Sequence, residues 1–165
     1  MKKITILISI ALTLISSGLV FSQDFVTTWQ TDNPGDSNDS SITIPTFVGE
    51  TYSYDVDWNN DGIYEAADTG IVGNVSHDFG AVGTYTIRIR GDFPRIYFNN
   101  SGDRSKIISV DQWGNQQWTS MERAFFGCNN LQVNATDSPS LSNVTSMERM
   151  FQYAAAFNSD INNWN

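Results

Sequence analysis

Asp57-Trp-Asn59-Asn-Asp61-Gly62 places oxygen-bearing side chains at alternate positions, the spacing by which a calcium loop gathers its ligands. In a frame that starts at Asp57, Glu65 takes the ninth position and Asp68 the last, so the expected ligand set is Asp57, Asn59, Asp61, Glu65 and Asp68. Carboxylate and amide oxygens are the hard donors calcium requires, and Gly62 permits the sharp turn. The competing reading is an ordinary Asn-Asp-Gly hairpin turn, because no helical pattern flanks the segment and the last position is Asp rather than Glu. Calcium is therefore the one candidate ion, and no other cofactor is expected.

Catalytic chemistry has little to work with. His77 is the only histidine, and Asp78 beside it would face the other side of a strand. No G-x-S-x-G elbow is present. Most carboxylates fall in turns, at helix caps or on polar strand faces, so the chain is not expected to be an enzyme. A polysaccharide hydrolase with two converging acids is the remote alternative. The lone Cys128 cannot form an internal disulfide, and it shares its repeat position with Ala154, which points to a small buried residue. Trp58, Trp113 and Trp164 hold patterned positions and are expected in the core, while Trp118 is placed as a staple residue directly before a helix cap at Thr119. Trp29 is left open for an exposed, sugar-stacking role.

These residues must be held by two kinds of element. From 24 to about 98 the pattern is β. Ile42 and Ile44 alternate with polar neighbours, as do Tyr52, Tyr54, Val56 and Trp58, and then Tyr85, Ile87 and Ile89. Asn33-Pro34-Gly35, Asn60-Asp61-Gly62, Gly80 and Gly83 punctuate these runs as turns. Short, regularly punctuated strands predict a small antiparallel β-sandwich over residues 24–98. The pattern stops at Asn99 to Lys106, the expected domain boundary.

A repeat follows over residues 107–165. Thr119-Ser-Met-Glu-Arg-Ala-Phe125 recurs as Thr145-Ser-Met-Glu-Arg-Met-Phe151, and Val110-Asp-Gln-Trp113 is echoed by Ile161-Asn-Asn-Trp164. Thr119 with Glu122, and Thr145 with Glu148, have capping-box spacing. Met121, Ala124, Phe125 and Cys128, like Met147, Met150, Phe151 and Ala154, fall at helical i, i+3, i+4 and i+7 positions. Each copy is thus expected to carry a short helix with one buried stripe. The array is expected to continue past Asn165.

Leu141-Ser-Asn-Val-Thr-Ser-Met147, Met150-Phe151, Ala154, Phe157-Asn158 and Asp160-Ile-x-x-Trp164 together resemble the BspA-type leucine-rich repeats of bacterial surface proteins, the repeat family of unknown function 285. The resemblance implies an α/β leucine-rich-repeat solenoid, a secreted or surface-attached location, an adhesive role, and neither catalytic residues nor cofactor. Tyr54-Asp-Val-Asp-Trp58 and His77-Asp-Phe-Gly-Ala-Val-Gly-Thr-Tyr-Thr-Ile87 resemble the hallmark strands of a PKD-like, immunoglobulin-like domain, which implies a spacer or adhesive module.

The N-terminus fits export. Lys2 and Lys3 precede an apolar run from Ile4 to Phe21, and Val20 and Ser22 suit a cleavage site after Ser22, giving a signal peptide over residues 1–22. After cleavage the chain is not expected to be an integral membrane protein. Eighteen acidic residues against nine basic ones give a net charge of −9, which disfavours phosphate backbones, so nucleic acid is an unsuitable partner. The reading is a secreted or cell-surface binding or adhesion protein. Its expected partner is an extracellular protein or glycan, with self-association through an uncapped repeat end as a further expectation. The alternative is a structural spacer within a larger surface assembly.

Overall fold

The computed structural model describes residues 23–164; the expected signal peptide, residues 1–22, lies outside them. Among the described residues seven strands form: β1 (Phe25–Gln30), β2 (Ser41–Ile44), β3 (Ser53–Asp57), β4 (Val75–Asp78), β5 (Thr84–Asp92), β6 (Ile107–Gln112) and β7 (Gln132–Val133). Five of them make one sheet in the order β3-β5-β1-β6-β7, and β2 and β4 pair in a second. Every pairing is antiparallel except β6 with β7, where Ser109 and Val110 run parallel to Gln132 and Val133.

Period-two patterning has the expected consequence in the first half. Ile42 and Ile44 on β2, Tyr54 and Val56 on β3, and Ile87 and Ile89 on β5 are all sealed from solvent, and they join one hydrophobic cluster fed by both sheets. The main sheet does not stop at residue 99. β6 lies against β1, with Thr27 opposite Val110, and two register shifts bend that pairing. The core runs on through Trp113 and Trp118 to Phe125, Cys128 and Leu131. Trp29, left open as an exposed ring, is fully buried, and its Nε1–H donates to Thr27 Oγ1 at 2.8 Å.

The α/β leucine-rich-repeat solenoid does not form. No α-helix occurs among the described residues, whose only helical turn is a 3-10 segment at Ala66–Asp68. Both repeat copies are chains of tight turns. Ala124 N–H donates to Met121 C=O and Cys128 N–H to Phe125 C=O, each three residues back. Met150 to Met147 and Ala154 to Phe151 repeat the arrangement. Arg123 and Arg149 sit at φ of 54° and 60°, a left-handed conformation that ends any right-handed helix. The alternate N–H groups leave their own copy altogether. Those of Met121, Arg123, Phe125 and Gly127 reach carbonyls of Ser146, Glu148, Met150 and Gln152 at 2.8–2.9 Å.

The capping-box residues serve this stack instead of a helix end. Thr119 Oγ1 donates to Glu50 Oε1 at 2.7 Å, and Glu122 meets the Arg95 guanidinium at 3.5 Å. The buried stripe survives the change of element, since Met121, Ala124, Phe125 and Cys128 are all sealed off. In the second copy Met150 and Ala154 are buried and Met147 is exposed. Burial raises the Cys128 thiol well above its ordinary pKa, consistent with a packing residue.

No helix among the described residues is long and apolar enough to cross a membrane.

Candidate binding groove

β3 delivers the chain into the loop that carries Trp58. β4 carries His77 and leads to Phe79, and β5 carries Tyr85. The four rings line up across the junction. Trp58 and His77 stack at 4.5 Å between centroids with planes 11° apart. His77 meets Phe79 edge-on at 4.7 Å, and Phe79 stacks on Tyr85 at 3.8 Å. Strand alternation explains why His77 and Phe79 share a face while Asp78 takes the other. The Asp78 carboxylate accepts from Ser40 Oγ at 2.6 Å and from Gly80 N–H at 2.8 Å.

These rings, together with Asn59 and Asn60, line an open groove of about 540 Å³. Thr84 and Thr86 border it too, but they alternate with Tyr85 on β5, and their hydroxyls bond Gln30 Oε1 and Thr28 Oγ1 on the other face of the strand. His77, Phe79 and Tyr85 are partly exposed, so ring surface is offered to solvent. Trp58 is nearly buried, and its indole N–H has no hydrogen-bond partner among the described residues. The same is true of Trp113 and Trp118, but those rings are sealed in the core, whereas Trp58 borders the groove. A larger cavity of about 580 Å³ lies between the sheet and the first repeat copy. Glu50, Asp92, Asn115, Gln116 and Gln117 line it beside Phe93 and Pro94, and Phe93, the one aromatic residue there, is buried in the core.

The expected calcium ligands gather beside this groove. Asp57, Asn59, Glu65 and Asp68 border a smaller pocket of about 210 Å³ that shares Trp58 and His77 with the groove, while Asp61 stands apart from it. Several of the loop's oxygens already serve the loop itself. Asp57 Oδ1 accepts from Asn59 N–H at 3.2 Å, and Asp57 Oδ2 from Gly62 N–H at 2.8 Å. Asn59 Oδ1 accepts from Asp61 N–H, and Asp61 Oδ1 from Ile63 N–H. The bonds to Asn59, Asp61 and Ile63 are Asx turns, and the bond to Gly62 closes the loop as a whole. Among the described residues, no three His, Cys, Asp or Glu side chains are grouped as metal ligands.

The ring line was missed in the sequence because its members come from three separate segments. The only hint was that Tyr85 and the residues around His77 lay in neighbouring strand patterns.

With the geometry in view, comparison with known proteins adds one result. Residues 95–165 match the family described as Mycoplasma protein of unknown function, DUF285. The DUF285 segment covers both repeat copies and includes Phe98 to Asn100, whose N–H groups begin the inter-coil ladder by donating to Ala124, Arg123 and Phe126 carbonyls. The groove lies outside the DUF285 segment. No curated protein and no solved structure matches the chain.

Burial holds the His77 imidazole below its ordinary pKa, against the opposing pull of Asp68 and Asp78. Its contribution to stability is therefore fully present above the unfolded-state pKa near 6.5, where the ring is neutral in both states. As pH falls below that value the unfolded chain takes up the proton first, and stability declines until the folded pKa is passed. Thermal melts between pH 7.5 and 5 are expected to show this fall. His77→Gln is expected to flatten the part of the decline that lies just below pH 6.5. An unchanged profile in His77→Gln would assign the acid sensitivity to other groups.

Proposed function

We propose that this chain is an exported binding protein that holds a glycan in the groove of Trp58, His77, Phe79 and Tyr85. The observation that carries the reading is the line of rings, three of them partly exposed, flanked by the Asn59 and Asn60 amides. Sugar rings present C–H faces that pack on aromatic surfaces, and their hydroxyls need donors and acceptors at the rim. The amides of Asn59 and Asn60 are of that chemistry. The strongly acidic chain favours neutral or amino sugars over sulfated ones. Affinity would come from this one groove, with the DUF285 segment serving as the packed base that continues the sheet through β6.

The test is a broad glycan array probed with the chain from residue 23 onward, beside Tyr85→Ala. Tyr85 is partly exposed and lies at the end of the ring line, so its removal is expected to leave the fold intact. A set of neutral or amino-sugar hits, weakened in Tyr85→Ala by roughly tenfold as one stacking contact is lost, supports the reading. Hits that survive Tyr85→Ala unchanged place glycan binding elsewhere, and an array without hits rejects it.

A further inference from the structure

Beside the groove, the pocket of about 210 Å³ carries both apolar and acidic surface. β3 ends at Asp57, and Asn60 and Gly62, at φ of 59° and 86°, turn the chain back. The returning leg, from Ile63 to the 3-10 turn at Ala66–Asp68, closes the pocket against Trp58 and His77. Val56, sealed from solvent, and Ile63, 61% exposed, make its apolar surface. Glu65 and Asp68 make its acidic one. The hydrogen bonds of that turn run from Asp68 N–H to Glu65 C=O and from Thr69 Oγ1 to Ala66 C=O. Neither carboxylate takes part in them, and neither is in an ion pair among the described residues. Asp68 stands close enough to His77 for its charge to act on the imidazole, on the side the pocket shares with the groove.

Trp58 supplies the independent observation. It is 7% exposed, its indole N–H has no partner among the described residues, and the residue lines pocket and groove alike. A buried donor left unanswered is unfavourable, so a ligand acceptor is favoured at this point. A simple cation matches only the carboxylates. It brings no acceptor for the indole and no surface for Val56 and Ile63. An acetamido group matches all three. Its carbonyl oxygen accepts from the Trp58 N–H, its own N–H donates to the Asp68 carboxylate, and its methyl packs on Val56 and Ile63. We propose that this pocket takes the acetamido group of an N-acetylated amino sugar whose chain lies along the aromatic groove. The proposal rests on the glycan reading of that groove and names the sugar class it selects.

The probes are cellohexaose, fully acetylated chitohexaose and its fully deacetylated form, titrated calorimetrically into the chain from residue 23. The three share one linkage and differ in the group on C2: hydroxyl, acetamido or ammonium. The acetylated hexamer is expected to bind at least about tenfold tighter than either of the others, the scale of one hydrogen bond with a methyl contact. Asp68→Ala removes a carboxylate that holds nothing in the fold. It is expected to cut that preference about fivefold, the scale of one hydrogen bond, and to leave cellohexaose affinity unchanged. Ile63→Ser, at an exposed position, is expected to narrow the preference as well, and it decides the matter if Asp68→Ala does not fold. Equal affinities for acetylated hexamer and cellohexaose, both weakened by Tyr85→Ala, overturn the pocket assignment and keep the groove. Tightest binding by the deacetylated form overturns it too, because the carboxylates then act as an ammonium site. Binding by none of the three also overturns it, and the glycan array then decides the groove reading by itself.

Discussion

Replacing Lys106 with methionine is expected to cost about 3–5 kcal/mol of folding stability, the scale of breaking a buried charged network by removing one partner. Lys106 is almost completely buried. Its ammonium donates to the carbonyls of Ser37, Asn38 and Ser41 at 3.1, 2.7 and 3.0 Å, and to Ser37 Oγ at 2.8 Å. Asp103, buried as deeply, grips the same loop from the other side. It accepts Asp36 N–H at 2.8 Å and Ser37 N–H at 3.0 Å on Oδ1, and Thr43 N–H at 2.6 Å on Oδ2. The two charges meet through the Ser37 hydroxyl, which is within 2.8 Å of Asp103 Oδ2 as well. Methionine fills the space of the stem, but it takes a donor from three carbonyls and leaves the Asp103 charge without its counterweight. Of the three, only Asn38 and Ser41 keep another donor, from Ser41 N–H and the Ser37 hydroxyl. Urea denaturation measures the loss. Combining Lys106→Met with Asp103→Asn is expected to cost less than the two single changes together, because each single change strands the other group. Additive costs would mean that the two groups act separately.

Trp113→Ala is expected to destabilise by about 3–5 kcal/mol, the usual cost of emptying a large buried aromatic site. The ring is sealed from solvent and meets Phe25 at 5.8 Å, Trp118 at 6.1 Å, Phe125 at 6.1 Å and Trp164 at 5.1 Å. Those neighbours belong to β1, to the segment before the first repeat copy, and to both copies. The backbone N–H of Trp113 donates to Asp137 Oδ1 at 3.0 Å, which adds a main-chain anchor at the same point. A core continuous from β1 to the repeats predicts that the variant still melts in one transition, shifted down for signals from both halves. Two separated transitions would show that the β-sheet region and the repeat region fold as independent units.

The strands of the first half were legible because each has one wet and one dry face, and a period of two writes that difference directly into Tyr54, Val56, Ile87 and Ile89. The buried positions of the repeats were legible for a related reason. Successive tight turns return the chain to the same side every three or four residues, as a helix does, so Met121, Ala124, Phe125 and Cys128 were found correctly under the wrong element. What separates the two is where the alternate N–H groups go. In a helix they bond along the chain, and here they bond across to the next copy. The left-handed residues that permit this are Arg123 and Arg149, whose side chains give no warning of it. Pairing of β6 with β1 was equally silent, because it joins residues some 80 positions apart through backbone groups that every sequence possesses. The groove was hidden in the same way. Trp58, His77, Phe79 and Tyr85 each read as an ordinary strand residue, and only the fold makes them a line.

The most direct test of the glycan reading follows the Trp58 indole N–H by NMR while an array hit is titrated into the chain from residue 23. A ligand lying along the rings is expected to move that resonance and the ring signals of His77 and Tyr85 in step, with one saturation curve and with the Trp113 and Trp118 indole signals still. Saturable binding that leaves Trp58, His77 and Tyr85 unmoved would contradict the account.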